Sequence, residues 1–187
     1  PAGTGKPITL ETKPNPANFY GRSKLEAEEG LQALEDENFR VAIVRAPMIF
    51  GAHAKGNFPT LVSLARKFPF FPDIKNKRSM IYVGNLAEFI TALIATEAKG
   101  TFMPQEADYI CTSKLVEQIG KTSDKRIVLT KLFNPFIKGP LKTNSYVMKA
   151  FGDMYYDLSE SKLTFDYHRY SVKEALAQIA HEEGWAA

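Results

Sequence analysis

Residues 15–45 read NPANFYGRSKLEAEEGLQALEDENFRVAIVR, a proline-led amphipathic stretch followed by a short β-branched run. Asn15-Pro16 reads as a helix start. An asparagine N-cap offers a side-chain acceptor to the orphan amides, and proline at the first helical position gives up no needed N–H. The pattern predicts a helix over about residues 16–36. Tyr20, Lys24, Ala27, Leu31 and Leu34 recur at helical spacing, so they are expected on one protein-facing stripe, with Arg22, Glu26, Glu28 and Glu29 outside it. Arg40 to Arg45, closed by Pro47, has the length and β-branching of a buried strand. A helix feeding a strand is the unit from which the α/β reading grows.

The rest of the chain repeats that alternation. A loop with Gly51 and Gly56 leads to a helix over Pro59–Lys67, which the cluster Phe68-Pro69-Phe70-Phe71-Pro72 cannot continue. Ser79 to Val83 reads as a strand or extended segment and Asn85 to Glu97 as a helix that Gly100 ends. Thr101 to Cys111 reads as extended, and Thr112 is placed as the N-cap of a helix reaching Gly120. Arg126 to Leu132 alternates like a strand, Pro135 to Gly152 suggests a helix broken near Gly139-Pro140, and Ser171 to Glu183 is a last amphipathic helix. The fold class expected is α/β, with the chain as a single unit over 1–187.

Composition excludes several function classes. The 187 residues are 44% hydrophobic and 24% charged with a formal net charge of +3, values of an ordinary globular domain. Cys111 is the only cysteine, so no internal disulfide forms and a reducing, cytoplasmic compartment is expected. No apolar run approaches the ~20 residues of a membrane helix. His53, His168 and His181 show no metal-ligand spacing, and the basic surplus is not a clustered nucleic-acid footprint. Neither metal, nucleic acid nor membrane is expected as a partner. The chain starts at Pro1, which reads as a cut in a longer protein.

Chemistry is concentrated in Tyr20-Gly21-Arg22-Ser23-Lys24. At i and i+4 on a helix, the Lys24 ammonium can approach the Tyr20 phenol or a ligand between them. A nearby cation favours phenolate, which suits a general acid/base. On the pair alone, a packed core tyrosine and a catalyst are equally open readings. Arg78 follows the basic turn Lys75-Asn76-Lys77, and a guanidinium suits bidentate phosphate recognition as well as a solvated surface.

Three motifs in order narrow the choice. NPANFYGRSKL (15–25), VRAPMIFG (44–51) and RSMIYVGNLA (78–87) resemble successive landmarks of the extended short-chain dehydrogenase/reductase superfamily, closest to its NAD-dependent nucleotide-sugar epimerases and dehydratases. The pattern from Tyr156 through Lys162-Leu163 to Tyr170-Ser171-Val172 is similar to the same family's C-terminal region. The resemblance implies the C-terminal part of a Rossmann-type doubly wound sheet, with the catalytic helix at about 16–36. A smaller substrate-binding α/β region is interleaved over about 47–187.

The same resemblance implies roles. Tyr20 exchanges a proton with the sugar hydroxyl while Lys24 holds the NAD ribose, and Pro47 borders the nicotinamide. Met48, Asn57, Phe58 and Arg78 face the sugar nucleotide, with Arg78 on the diphosphate and Phe70 and Phe71 beside the uracil. The implied activity is a UDP-hexose or UDP-N-acetylhexosamine 4-epimerase acting by transient C4 oxidation. The alternatives on the same scaffold are a 4,6-dehydratase, a 4-keto-sugar reductase and a non-catalytic nucleotide-sugar-binding module. The family's glycine-rich pyrophosphate turn has no match here, since Gly3-Thr4-Gly5-Lys6 is followed by Pro7. The 187 residues alone are therefore expected to be inactive. Asn85 stands where the family commonly has an acid, and a homodimer through the Tyr/Lys helix is the expected assembly.

Overall fold

The structure is a computed structural model that describes residues 5–139, 144–161 and 165–185. Its first helix, α1 (Phe19–Gln32), starts later and ends sooner than the sequence predicts. Asn18, not Asn15, is the N-cap, because its Oδ1 accepts from Gly21 N at 2.9 Å. The expected stripe is also displaced. No residue of α1 is buried, and the side it turns to the protein carries Gly21, Leu25 and Glu28, one position away from Tyr20 and Lys24. Polar contacts explain the offset. Glu28 takes Arg45 through Nη2 at 2.6 Å and Nε at 3.2 Å, and Gln32 Nε2 reaches Thr101 Oγ1 at 3.5 Å. The helix is tethered by polar groups rather than by a leucine ridge.

Six short strands follow among the described residues: β1 (Ala42–Val44), β2 (Met48–Phe50), β3 (Phe70–Pro72), β4 (Met80–Tyr82), β5 (Gly100–Phe102) and β6 (Val128–Thr130). They form three parallel pairs, β1 with β5, β2 with β4 and β3 with β6. Parallel pairing requires crossovers, and helices supply them: α2 (Asn57–Lys67), α3 (Val83–Ala95) and α4 (Thr112–Thr122). This is the α/β class expected. Three expectations change. β1 is only half-buried, β2 forms directly after Pro47 where no strand was expected, and β3 sits inside the Phe/Pro cluster, whose aromatic residues suit a strand once proline has ended α2.

β4 shows why the core divides in two. Successive strand residues point to opposite faces, and all three residues of β4 are buried. Met80 and Tyr82 join Phe50, Phe58, Leu115, Ile119, Leu176 and Ile179 on one side. Ile81 joins Phe89, Leu93 and Tyr167 on the other. A strand covered on both faces reads as a continuous apolar run, which is what MIY supplies.

The larger cluster is closed by α4 and by α7 (Val172–Glu182). α7 begins at Ser171 with a reciprocal capping box to Glu174. α4 is started differently from the prediction. Cys111 occupies the cap position, and Thr112, the predicted cap, lies inside the helix with its N–H donating to Asn76 Oδ1 at 2.9 Å. The acceptor comes from a loop 36 residues away, so no local pattern announces it. Near the end of α4, a side chain on Gly120 would lie 2.6 Å from Ile127 and 2.9 Å from the Lys125 carbonyl. The helix is thereby able to pack against its own exit loop.

The predicted broken helix is two helices, α5 (Asn134–Lys138) and α6 (Ser145–Phe151). Pro140, Lys162, Leu163 and Gly3-Thr4 lie outside the described residues. No helix among the described residues is long and apolar enough to cross a membrane.

Candidate functional site

On α1, the Tyr20 side chain is 69% exposed. Lys24 is exposed beside it, its Nζ 5.6 Å from the centre of the Tyr20 ring. One helical turn separates the two residues, as i and i+4 positions require. Ser23 Oγ turns away and donates to the Tyr20 carbonyl at 2.9 Å. The phenol and ammonium thus share one open face, available to a ligand and not consumed by packing.

Pro47 and Met48 are half-buried where β1 passes to β2, and Met48 is in register with Met80. Two residues before Met80 lies Arg78, only 3% exposed. Its backbone exchanges bonds with Ile110 at 3.0 and 2.9 Å, and the following amide, Ser79 N, donates to the Met154 carbonyl at 3.0 Å. Arg78 Nη1 donates to the Gly152 carbonyl at 3.1 Å. Its Nε is buried with no partner among the described residues. Burial draws the guanidinium below the usual arginine value, and the nearby Asp153 carboxylate opposes that shift. A buried guanidinium with an unspent donor is a costly arrangement that an anionic ligand would complete.

The end of α6 closes over Arg78. Gly152 has no room for a side chain, since a Cβ would lie 2.6 Å from the Met148 carbonyl. Asp153 Oδ1 accepts from Lys77 N at 2.8 Å. Lys77 Nζ sits 5.6 and 5.5 Å from the rings of Tyr109 and Tyr155, which meet edge to face at 4.9 Å. A second cation is held beside Arg78 by aromatic faces.

The remaining predicted residues divide. Asn57 is exposed at the first position of α2, and Phe70 is exposed on β3. Phe58 is 1% exposed, its ring between Phe50 at 5.6 Å and Trp185 at 6.5 Å. Phe71 is buried against Phe151 at 5.7 Å. Both are core residues here, with no face turned to a ligand: helical and strand alternation sends each inward while its neighbour points out. Arg78, Phe71 and Met48 are gathered around β4 and the end of α6. Tyr20 and Lys24 form a separate group that shares no hydrogen bond or ion pair with Arg78 among the described residues.

Beneath the Arg78 loop lies a polar network that sequence reasoning missed. Ser79 Oγ donates to Gln105 Oε1 at 2.5 Å and accepts from Tyr156 N at 2.7 Å. Gln105 Nε2 donates to Ser161 Oγ at 2.7 Å, and the Tyr167 hydroxyl donates to the Gln105 carbonyl at 3.0 Å. Next to it, the Glu106 carboxylate accepts from Tyr82 N at 2.7 Å and from Asn85 Nδ2 at 3.1 and 3.2 Å. Burial pushes the Glu106 carboxyl up, and these two donors pull it back. Asn85 also exchanges bonds with the Tyr170 backbone at 2.9 and 3.0 Å. An acid at position 85 would face Glu106 carboxylate to carboxylate, which accounts for the asparagine. A cavity of about 610 Å³ opens beside Glu106, lined also by Tyr109, Lys114, His168 and Tyr170.

The parallel strand pairs with their crossover helices match a known fold. A family model described as the RmlD substrate binding domain matches residues 2–181. The chain belongs to this family. It is a member of the extended short-chain dehydrogenase/reductase group that its motifs resemble. Among curated relatives, the UDP-glucose 4-epimerase of Vibrio cholerae is 32% identical over 127 residues, 65% of this chain and 39% of that protein. The N-acetyl-alpha-D-glucosaminyl-diphospho-ditrans,octacis-undecaprenol 4-epimerase of Escherichia coli O157:H7 is 31% identical over 120 residues, 60% of this chain and 36% of that protein. The chain thus matches well under half the length of these relatives. The enzyme WbmH of Bordetella bronchiseptica, solved with NAD+, shares the fold with a TM-score of 0.65 at 17% identity, covering 97% of this chain and 58% of that one.

Proposed function

We propose that this chain is the catalytic-helix and substrate-binding portion of an NAD-dependent nucleotide-sugar 4-epimerase acting on a UDP-hexose or UDP-N-acetylhexosamine. The observation that carries the reading is the open Tyr20–Lys24 face, with Lys24 Nζ 5.6 Å from the Tyr20 ring. In this assignment Tyr20 exchanges a proton with the sugar hydroxyl, and Lys24 binds the cofactor ribose and holds positive charge beside the phenol. Pro47 borders the nicotinamide and Met48 the sugar. Arg78, whose buried Nε has no partner among the described residues, is assigned to the diphosphate by its motif, and Asn57 and the exposed Phe70 to the nucleotide. Phe58 and Phe71 act by packing, holding α2 and β3 in place.

NAD, when bound, supplies a reversible hydride acceptor. The residues present fit its ribose end, since an exposed hydroxyl and ammonium stand side by side. No glycine-rich turn for its pyrophosphate occurs in residues 1–187, so those residues alone are expected to show no turnover.

The test is product analysis by NMR on the intact protein with UDP-hexoses. An epimerase interconverts C4 isomers with no net change in cofactor redox state, whereas a reductase consumes reduced cofactor. Tyr20→Phe should cut turnover by about 10²–10⁴-fold and leave UDP-sugar affinity unchanged. Undiminished turnover removes Tyr20 from the chemistry.

A further inference from the structure

One surface of the molecule, apart from Phe70 at its edge, is left without a role by this assignment. From Lys125 to Gly152 the sequence carries six lysines and arginines and no acid. The chain's formal charge is +3, so this stretch of +6 leaves −3 for everything else. Within the same stretch, large apolar side chains face outward. Leu132 is 74% exposed and Phe136 77%, four residues apart on the 3₁₀ turn Lys131–Phe133 that runs into α5. Phe133 is exposed beside them.

The neighbouring strands extend the patch. Phe70 of β3 is in register with Val128 of β6, and both are exposed on the outer face of the pair while Phe71 is buried on the inner one. Phe68, at the end of α2, is exposed next to them, with exposed Arg66 and Lys67 before it. Asn134 Nδ2 donates to the Asp73 carbonyl at 2.9 Å and holds α5 against the exit of β3. Glu117, an acid on nearby α4, is engaged by Lys114 at 3.1 Å and Lys121 at 3.7 Å.

We propose that this face docks on the surface of an anionic lipid bilayer. Apolar side chains of this size left contiguous on a surface mark an interaction site, and exposed Arg66, Lys67 and Lys131 beside them select an anionic partner. Leucine and phenylalanine between lysines suit the boundary of headgroups and acyl chains, where a short segment lies in the plane with its apolar side inserted. A nucleic-acid strand would use the charge and stack a base on Phe136, but it would leave the contiguous Leu132, Phe133 and Val128 without an apolar environment to enter. The lack of a spanning helix bears on crossing a bilayer, not on resting against one.

The test is co-sedimentation of the intact protein with vesicles of phosphatidylcholine alone and with ~30% phosphatidylglycerol. Binding is expected only to the anionic vesicles, falling with added salt. Lys131→Glu should weaken it at least about fivefold, from the worth of one basic side chain at such a surface. Leu132→Ser/Phe136→Ser alters only exposed groups and should abolish binding with the melting temperature unchanged. No binding to anionic vesicles overturns the proposal, as does equal binding to both compositions or full binding by the serine variant. Retention on single-stranded DNA without vesicle binding, or loss of self-association in the serine variant without loss of vesicle binding, also overturns it. Sugar epimerisation is measured separately, so failure here leaves the proposed activity standing.

Discussion

Asn85 and Glu106 show how one residue type is fixed by another far along the chain. Asn85→Asp sets a second carboxylate against a buried one, and truncated or mismatched buried charges cost about 3–5 kcal/mol. Urea unfolding at pH 7 is the measurement, and lowering the pH should recover part of the loss as the pair takes up a proton. Glu106 itself carries a pH signature. Its folded value is raised by burial, so the native state binds more protons than the unfolded one above the usual carboxylate value of about 4.3. Its contribution to stability therefore falls as pH rises from that value through the raised one. Glu106→Gln should remove that slope, seen as a difference between the two proteins' stabilities at pH 4.5 and pH 7. Tyr20, Lys24 and Arg78, the residues the proposed function uses, stood out as candidates in the sequence because motif spacing is local. It hid Glu106 and Gln105, whose partners Tyr82, Ser161 and Tyr167 are brought together only by the fold.

At the scale of elements, the sequence located β1, β4, β6 and most helices, and β5 at the start of a longer extended stretch, because β-branched runs and helical periodicity are local signals; β2, behind Pro47, and β3, inside the Phe/Pro cluster, carry no such signal and were not read. Caps and facing sides were harder to place. Asn15 and Asn18 are chemically equal candidates, and only backbone geometry selected Asn18. Asn18→Ala should cost about 1 kcal/mol by denaturant unfolding, and Asn15→Ala should cost nothing measurable. The orientation of α1 depended on Glu28 and Arg45, a half-buried bidentate pair that hydrophobic patterning does not register. Arg45→Ala should loosen α1 and raise its amide exchange while leaving exchange in α4 and α7 unchanged.

For the molecule as a whole, the packing around Phe58 connects distant parts of the chain. Its ring meets Phe50 before α2 and Trp185 after α7. Phe58→Ala should cost about 3–5 kcal/mol, with Trp185 emission shifting to the red as water reaches the indole. A variant that loses activity but retains both stability and emission would return Phe58 to the ligand-facing role.

The interleaving of the three strand pairs governs how the molecule comes into being. Ala42 pairs with Gly100, Met48 with Met80 and Phe70 with Val128, so the partners stand 58, 32 and 58 residues apart. The first pair encloses the second, while the third begins inside both and closes beyond them. Chain closure over such spans costs entropy before contacts return anything. A ribosome releasing this segment must deliver Val128 before Phe70 has a neighbour, and the early aromatic cluster waits unpaired for more than fifty residues of synthesis.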